Sequence, residues 1–433
     1  MIDQPTPSRQ PGNEGQHGQP SRPGPPPSSA RSYRGVGRAW LLVAFAVFMV
    51  AWGGNEFTPM MVMYRKESVF SPVFVDSLLA SYAIGIAGSL VIAGPLSDRF
   101  GRRIVMLPAP IVAIVASVFI ALGETTEWLM FTGRVLSGVS IGIAMTAGGS
   151  WIKELSTPAM DRTAKANSGA KRATMSLTGG FAIGALTAGL LAQWAPLPAQ
   201  LPYVVHVALS VASLIGLLQV PETRQSAHLR VKGSFWSDLF VPTAKHPRFL
   251  LAVIPVAPWV FGCAGVAYAI MPALSQDRVS AAIAFSAAVT ALCLGCGFGI
   301  QQFVQYLTSP RSARGQIIAL CLVIVGMSLA AWVAASRSIP GVLVVAVLLG
   351  GGYGLCMISG LSEVQRIAGP DDLGGLTAIF YVVTYIGFLF PMILTKLSQW
   401  FTYPMMLGFG VVMATLALVV VVLNSRRHLP SVA

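Results

Sequence analysis

Two ionisable side chains lie inside long apolar stretches of this sequence, where a charge is costly unless it is paired or hydrated. Glu56 lies about nine residues before Arg65, and Arg134 lies about six residues into a later stretch, so both are roughly 9–14 Å below one membrane surface if the stretches are helical. A carboxylate beside an arginine gains or loses a proton as its surroundings change between dry and wet. The spacing predicts a proton-coupling site; the alternative is a fixed ion pair that only holds two helices together.

Polar and aromatic side chains in the apolar stretches could contact a small-molecule substrate. Packing in the protein core or against lipid explains each of them equally well, because aromatic rings also fill cores and membrane surfaces. The candidate substrate contacts are Trp52, Asn55, Tyr268, Tyr381 and Tyr385.

The pattern of residues does not support enzyme chemistry. The five histidines are scattered without the spacing of a zinc site, and the glycine-rich segment 350–354 lacks the lysine of a phosphate loop. Cys293 and Cys296 form a CxxC in a stretch rich in small residues, which indicates helix packing instead of metal or redox chemistry. We therefore expect no catalytic residues, no metal and no cofactor.

The composition is that of a membrane protein. Of the 433 residues, 54% are hydrophobic and only 10% are charged, whereas a soluble domain has about 25% charged residues. The net charge of +13 could suggest a nucleic-acid partner. However, most lysines and arginines lie in short loops, where membrane topology explains them. We therefore expect an all-α protein that contacts lipid and binds no nucleic acid.

Hydropathy predicts twelve membrane-spanning helices, and the charges in the loops orient them. Residues 1–35 are rich in Pro, Gly, Gln and Ser, so we expect a disordered tail. Arg31, Arg34 and Arg38, just before the first span, place the N-terminus, and with twelve spans also the C-terminus, in the cytoplasm. The predicted spans are 39–63, 73–95, 103–123, 128–152, 173–194, 201–220, 247–273, 279–307, 315–335, 339–365, 373–397 and 402–424.

The chain divides into two similar halves. Residues 36–220 and 247–424 each hold six spans, a polar cytoplasmic loop at 221–246 joins them, and a short tail at 425–433 follows. A single constant offset relates the halves, which indicates a parallel internal repeat. At this offset Ser97, Arg99, Arg102, Gly138 and Gly142 align with Ser309, Arg311, Arg314, Gly350 and Gly354.

A short basic segment between spans 2 and 3 has the composition of a gating loop. Its two glycines allow a tight turn, and its aspartate could exchange partners and act as a latch near the start of span 11, where helix amides favour an anion. A basic loop with no mechanical role is the alternative. The candidate gating residues are Gly94, Asp98, Arg99, Gly101, Arg102 and Arg103.

This segment resembles the loop between the second and third helices of the major facilitator superfamily. Arg134 and Gly138 resemble the span-4 motif in which that family associates an arginine with proton coupling. The resemblance implies two six-helix bundles related by a pseudo-two-fold axis along the membrane normal. In span 5, Gly184 and Gly189 resemble the glycine motif of the drug/proton antiporters, although Ala185 replaces its proline.

The resemblance implies a proton-coupled secondary transporter that works by alternating access. We expect it to export an amphiphilic, drug-like small molecule. Abundant Arg, Ala and Gly are typical of a high-GC bacterium, so we expect a bacterial inner membrane as the location. We also expect a monomer. Two alternatives remain open: a proton symporter that imports a small metabolite, and a membrane receptor that transports nothing.

Overall fold

The computed structural model describes residues 38–67, 69–165, 168–223, 241–309, 311–369 and 373–427. Within these ranges the protein is helical, apart from turns and a single β-bridge between Ser309 and Ser312. Eleven of the described helices are long and apolar enough to cross a membrane, and Leu201–Leu217 is a shorter apolar helix at the position of predicted span 6. The predicted all-α fold with twelve membrane helices is therefore confirmed.

The helices begin and end within a few residues of most predicted bounds. We number them in chain order: α1 Ala39–Lys66, α2 Pro72–Phe100, α3 Arg102–Leu122, α4 Glu127–Leu155, α5 Ser168–Trp194, α6 Leu201–Leu217, α7 Phe249–Arg278, α8 Ala282–Gln301, α9 Arg314–Ser336, α10 Ile339–Ile367, α11 Leu373–Leu397 and α12 Tyr403–Asn424.

Parts of the predicted organisation fall on residues that the structure does not describe. The predicted tail at 1–35 lies outside the described residues, as do 224–240 of the predicted central loop and 428–433 of the C-terminal tail. The two predicted halves, 36–220 and 247–424, contain α1–α6 and α7–α12.

Two helices begin where the sequence supplies a cap. The Ser71 hydroxyl accepts a hydrogen bond from the Phe74 backbone N–H at 3.2 Å, and the Ser338 hydroxyl accepts one from Gly341 at 3.2 Å. Each serine is closely followed by a proline in the first turn, where a missing N–H has no cost. These caps fix the starts of α2 and α10.

Several membrane helices depart from α geometry within the bilayer region. Helix α1 is interrupted at Glu56, α4 contains the π-helical segment Ala144–Gly148, and α7 contains the π-helical segment Val266–Ile270. Helix α11 has a 3₁₀ turn at Ile386–Phe388. Such departures disturb the regular backbone hydrogen bonds and are frequent at functional sites.

Glycines allow two pairs of helices to cross in backbone contact. A Cβ added at Gly138 of α4 would lie 2.1 Å from the Tyr82 carbonyl oxygen of α2. One added at Gly350 of α10 would lie 2.3 Å from the Cys293 carbonyl oxygen of α8. Only glycine fits such contacts. Gly138 and Gly350 are equivalent in the predicted repeat, and both lie at helix crossings of the same kind.

Helices α5 and α8 connect the two halves. A Cβ at Gly189 of α5 would lie 2.4 Å from the Ala287 Cβ of α8. The Gln193 side-chain oxygen accepts hydrogen bonds from the backbone N–H groups of Ile283 and Ala284 at 3.0 and 3.3 Å. The small-residue contact between these helices is therefore present without the proline of the antiporter motif.

Candidate functional site

Glu56 is fully buried at the interruption of α1. Its Oε1 accepts a hydrogen bond from the Ser117 hydroxyl of α3 at 3.1 Å and lies 3.7 Å from Nδ1 of His206 in α6. The Trp52 side chain is a further polar neighbour of this carboxyl, and Oε2 makes no hydrogen bond of regular geometry. A poorly satisfied oxygen on a buried carboxylate is costly, so the protonation state of this group depends on whether its surroundings are wet or dry.

Arg134 of α4 is also fully buried, and backbone and aromatic groups surround its guanidinium. It donates hydrogen bonds to the carbonyl oxygens of Gly54 at 3.2 Å and Leu78 at 3.3 Å. The guanidinium lies over the rings of Tyr82 and Phe57, 4.4 and 4.7 Å from their centroids. Carbonyl dipoles and ring faces therefore hold the cation.

Glu56 and Arg134 lie in one site without forming an ion pair. In the described part of the chain, no carboxylate oxygen lies within 4.0 Å of the Arg134 guanidinium nitrogens, although Glu56 is within electrostatic range. Nη2 of Arg134, like Oε2 of Glu56, makes no hydrogen bond of regular geometry. The fixed ion pair considered from the sequence is therefore not present in this arrangement, and the coupling role stays a prediction.

His206 is a member of this site that the sequence analysis did not select. Its Nδ1 lies 2.7 Å from the Ser117 hydroxyl, and its Nε2 lies 2.9 Å from the Met49 carbonyl oxygen and 3.0 Å from the Ser210 hydroxyl. The sequence could have indicated His206, because an ionisable residue within a membrane span is unusual. The sequence did not show that α1, α3 and α6 meet at this residue.

An aromatic cluster connects the first half to the second. The Tyr82 ring lies 6.1 Å from Phe388 of α11, and Phe388 lies 4.5 Å from Phe261 of α7. Phe261 stacks on Tyr385 at 4.3 Å and lies 5.8 Å from Tyr353 of α10. These five rings form one packed group that begins beside the Arg134 guanidinium, and we call them the aromatic cluster. Tyr82, Tyr385 and Phe388 are each only 4% exposed, so the rings mainly contact one another and the protein core in this arrangement.

The three predicted tyrosines lie at different places. Tyr385 belongs to the aromatic cluster, and its hydroxyl lies 3.8 Å from the Met145 sulfur of α4. Tyr268 is buried in the π-helical segment of α7, within electrostatic range of Arg134. Tyr381 packs against Phe380, with ring centroids 5.8 Å apart. Tyr385 is thus a member of the aromatic cluster, and Tyr268 and Tyr381 both lie within electrostatic range of it.

Trp52 and Asn55 face α5. The Asn55 side-chain amide donates to the Phe181 carbonyl oxygen at 3.0 Å, and its oxygen accepts from the Thr58 hydroxyl at 2.6 Å. The backbone of Trp52 lies against Gly184, where an added Cβ would be 2.6 Å from the Trp52 Cα. Both polar groups of Asn55 are occupied within the protein, so the structure assigns it to helix packing in this arrangement.

The turn between α2 and α3 is shorter than the sequence suggested. Helix α2 continues to Phe100, so Gly94 and Asp98 are helical, and Gly101 makes the turn with a φ of 102°. A Cβ at Gly94 would meet no atom within 4 Å. The prediction that both glycines form the turn is therefore wrong for Gly94, because the helix continues past it.

Charged groups hold this turn in place. Arg102 donates to Asp98 at 2.8 Å and to Glu154 of α4 at 2.9 Å. The Glu222 carboxylate accepts hydrogen bonds from the backbone N–H groups of Arg102 and Arg103 at 3.1 and 2.9 Å, where the start of α3 favours an anion. The network ties the turn to α4 and to the start of the central loop. We call this end of the protein the basic end.

The predicted latch partner of Asp98 cannot be compared with the structure. Asp371 and Asp372, just before α11, lie outside the described residues. The latch therefore stays a prediction, and Arg102 is one partner of Asp98.

At the end opposite the basic end, a buried cluster joins the two halves. Arg65 of α1 forms an ion pair with Asp76 of α2 and donates to the Ala269 carbonyl oxygen of α7 at 2.8 Å. The Thr395 hydroxyl of α11 donates to Asp76 Oδ2 at 2.5 Å and lies 3.2 Å from the Tyr403 hydroxyl. Five helices from both halves, α1, α2, α7, α11 and α12, therefore meet around Asp76, which the sequence analysis did not select.

The chain belongs to the Major Facilitator Superfamily, whose family model matches residues 40–392. Multidrug resistance protein 1 of Bacillus subtilis is 25% identical over 353 residues, 79% of this chain and 85% of that protein. D-xylose-proton symporter-like 2 of Arabidopsis thaliana is 30% identical over 161 residues, 37% of this chain and 31% of that protein. Multidrug resistance protein MdtL of Shigella flexneri is 41% identical over 61 residues, 14% of this chain and 15% of that protein. The matched region thus spans less than a third of the last two relatives.

Solved structures share the fold. The nucleoside transporter NupG superposes with a TM-score of 0.69 at 13% identity, over 89% of this chain and 99% of that one. A D-xylose-proton symporter superposes with a TM-score of 0.63 at 17% identity, over 90% of this chain and 97% of that one. With the family match and the membrane helices, the fold defines a multi-pass membrane transporter.

Proposed function

We propose that this transporter couples proton movement to the export of an amphiphilic, drug-like compound, with Glu56 as the group that takes up and releases the proton. The observation that carries the proposal is the Glu56 carboxyl, which is buried at the break of α1 with one oxygen that makes no hydrogen bond of regular geometry. Such a carboxyl is neutral in a dry site and ionised when water or a cation reaches it. Alternating access produces this change of surroundings.

The surroundings of Arg134 favour coupling over a structural ion pair. Carbonyl oxygens of Gly54 and Leu78 and two aromatic rings hold the guanidinium, and these contacts do not depend on the charge of Glu56. A protonated Glu56 therefore leaves Arg134 in place, whereas loss of a partner from a direct buried ion pair would be costly. The nearby cation still stabilises the ionised carboxylate when the proton departs.

Export of an amphiphilic compound is supported by one surface and one relative. The aromatic cluster contains rings from both halves, and ring faces that separate as the halves move would suit apolar or cationic compounds. The B. subtilis relative named as a multidrug resistance protein aligns over 79% of the chain. Proton-driven import of a small metabolite is the second candidate, favoured by the similarity to a D-xylose-proton symporter-like protein over 37% of the chain.

The orientation and location are part of the same proposal. The loop charges place the basic end and both termini on the cytoplasmic side, since translocation of Lys and Arg is disfavoured. The cluster around Asp76 then closes the outer side. We assign the protein to a bacterial inner membrane, where it works as a monomer.

Transport by proteoliposomes tests the proposal. A panel of amphiphilic fluorescent compounds and small polar metabolites is presented to vesicles with an imposed pH gradient, with and without a protonophore. Export predicts that amphiphiles move against the proton flow and that the protonophore abolishes their accumulation. Metabolite movement in the same direction as the proton would establish symport instead. Accumulation that is unchanged when the pH gradient is removed would contradict proton coupling.

A further inference from the structure

Three side chains from three helices form a continuous chain of hydrogen-bonding groups inside the first half. Glu56, Ser117 and His206 are each at most 2% exposed. The Ser117 hydroxyl lies 3.1 Å from Glu56 Oε1 and 2.7 Å from His206 Nδ1, so it connects the carboxyl to the imidazole. Direct contact between the two titratable groups is longer, at 3.7 Å.

The imidazole is held in a built pocket. A Cβ at Gly53 would lie 2.4 Å from His206 Cε1, so the ring occupies space that glycine leaves free. Nε2 lies 2.9 Å from the Met49 carbonyl oxygen, which can only accept a hydrogen bond. Nε2 therefore carries a hydrogen, and the neutral ring presents Nδ1 to Ser117 as an acceptor.

The single hydroxyl hydrogen of Ser117 permits two complete arrangements. With the proton on Glu56, the carboxyl O–H donates to Ser117 Oγ, and the Ser117 O–H donates to His206 Nδ1. In the other arrangement the Ser117 O–H donates to the carboxylate, and a new Nδ1–H donates to Ser117 Oγ. The O–H bond of Glu56 breaks and the Nδ1–H bond forms, while Ser117 gives up one hydrogen and receives another.

We propose that His206 is a second binding position for the coupled proton, connected to Glu56 through the Ser117 hydroxyl. This inference rests on the proposed function, since it extends the proton site that begins at Glu56. With the proton on His206, Glu56 is a carboxylate that can respond to Arg134, and the proton remains inside the protein. The pair can thus retain a proton through a step in which the Glu56 carboxyl is ionised.

The charges around the chain are consistent with this exchange. Arg134 of α4 is within electrostatic range of Glu56. Among the described residues, the phenols of Tyr64 on α1 and Tyr203 on α6 are further titratable groups in electrostatic range of Glu56. An imidazolium at His206 would face the Glu56 carboxylate at 3.7 Å, so the charged arrangement is an ion pair.

Substitution of Ser117 tests the connection in proteoliposomes. Ser117→Ala removes the hydroxyl that connects Glu56 to His206. We expect the ratio of proton-driven accumulation to substrate counterflow to fall about tenfold, because the free energy of one buried hydrogen bond corresponds to about that factor in rate. The pH profile of accumulation should shift in Ser117→Ala and in His206→Gln. Ser117→Thr keeps a hydroxyl and should recover the wild-type ratio. A wild-type ratio and pH profile in Ser117→Ala would overturn the proposal.

A second measurement needs no substitution at the site. Wild-type protein with ¹⁵N-labelled histidine reports the His206 ring as the imidazole protected from a water-soluble paramagnetic reagent. Its nitrogen shifts should change at constant pH when a transported compound binds. Shifts that stay fixed with compound and with pH would overturn the proposal, even if Ser117→Ala were too unstable to assay.

Glu56→Gln in the same assay separates the two proposals. If Glu56→Gln keeps full proton-driven accumulation, the proposed function itself fails. If Glu56→Gln loses accumulation while Ser117→Ala and His206→Gln behave as wild type, Glu56 alone carries the proton and only the role of His206 fails.

Discussion

Gly101 combines a backbone conformation and a close contact that no other residue type satisfies. Its φ of 102° lies in the region that side chains with a Cβ disfavour. An added Cβ would lie 2.6 Å from Oε2 of Glu222, the carboxylate that caps the start of α3. This one residue therefore permits both the turn and the anchoring of the central loop.

Gly101→Ala should lower the free energy of unfolding by about 1–3 kcal/mol, because the strained backbone and the contact with Glu222 both oppose it. Gly94→Ala is the matched control in the same motif, since it is helical and its Cβ would meet no atom within 4 Å. The control should be neutral or more stable by about 0.5–1 kcal/mol. Thermal unfolding in detergent checks both, and equal melting temperatures for the two variants would contradict this role of Gly101.

Single residues were predictable where their chemistry is unusual for a membrane. Glu56 and Arg134 could be selected because charges in apolar spans are rare. The partners of Glu56 could not be selected, because Ser117 and His206 lie on spans whose contact with α1 is a property of the tertiary packing. For the same reason the sequence did not show that both polar groups of Asn55 are occupied.

At the scale of elements, the junction around Asp76 holds together helices that a transport cycle must separate. Arg65 and Thr395 both contact the fully buried Asp76 carboxylate, one from each half of the chain. Hydrogen bonds to a buried charge are stronger than neutral ones. Opening this end therefore requires the Thr395 contact to break.

Thr395→Val should loosen the ends of α2 and α11 that meet there. The hydroxyl is lost while the shape is kept, so backbone amides near Asp76 should exchange hydrogen about threefold to tenfold faster. Ser398→Ala is the control, because its hydroxyl bonds only to the Thr395 carbonyl of its own helix among the described contacts. Hydrogen exchange measured by mass spectrometry tests this expectation. Unchanged exchange rates in Thr395→Val would contradict a role for the Thr395–Asp76 contact in holding the two helices together.

Helix positions were predictable from hydropathy, but their interruptions were not. The π-helical segment Ala144–Gly148 and the break at Glu56 arise where neighbouring helices and buried polar groups set the backbone. The sequence correctly predicted a turn at Gly101. It predicted that α2 ends before this turn, because a charged segment has the composition of a loop. Tertiary contacts such as Arg102 with Glu154 stabilise those charges on a helix.

At the scale of the whole molecule, the repeat makes a symmetric prediction. Gly138→Ala and Gly350→Ala should each lower stability by about 1–3 kcal/mol, because each forces a side chain into the backbone of the crossing helix. Gly149→Ala and Gly295→Ala are controls on α4 and α8, where an added Cβ meets no atom within 4 Å. Melting temperatures of the four variants check this, and a large loss in only one half would contradict equivalent crossings.

Topology is also a property of the whole chain. In a background with the exposed Cys321 replaced by Ser, Phe100→Cys at the basic end should react with a membrane-impermeant thiol reagent only in inverted vesicles. Thr125→Cys, between α3 and α4, should react only from outside intact cells. The opposite pattern would invert the proposed orientation. Phe100 is suitable because it is exposed, whereas Ser97 of the same motif is buried.

Proton release on substrate binding tests the role of Glu56 most directly. Purified protein in weakly buffered detergent is mixed with a transported compound, and a pH indicator records the protons released. Wild type should release protons, and Glu56→Gln should release none. Glu127→Gln is the control, since Glu127 is an exposed carboxylate in the first turn of α4, and this variant should release protons as wild type does. Wild-type proton release from Glu56→Gln would contradict the assignment of the coupled proton to Glu56.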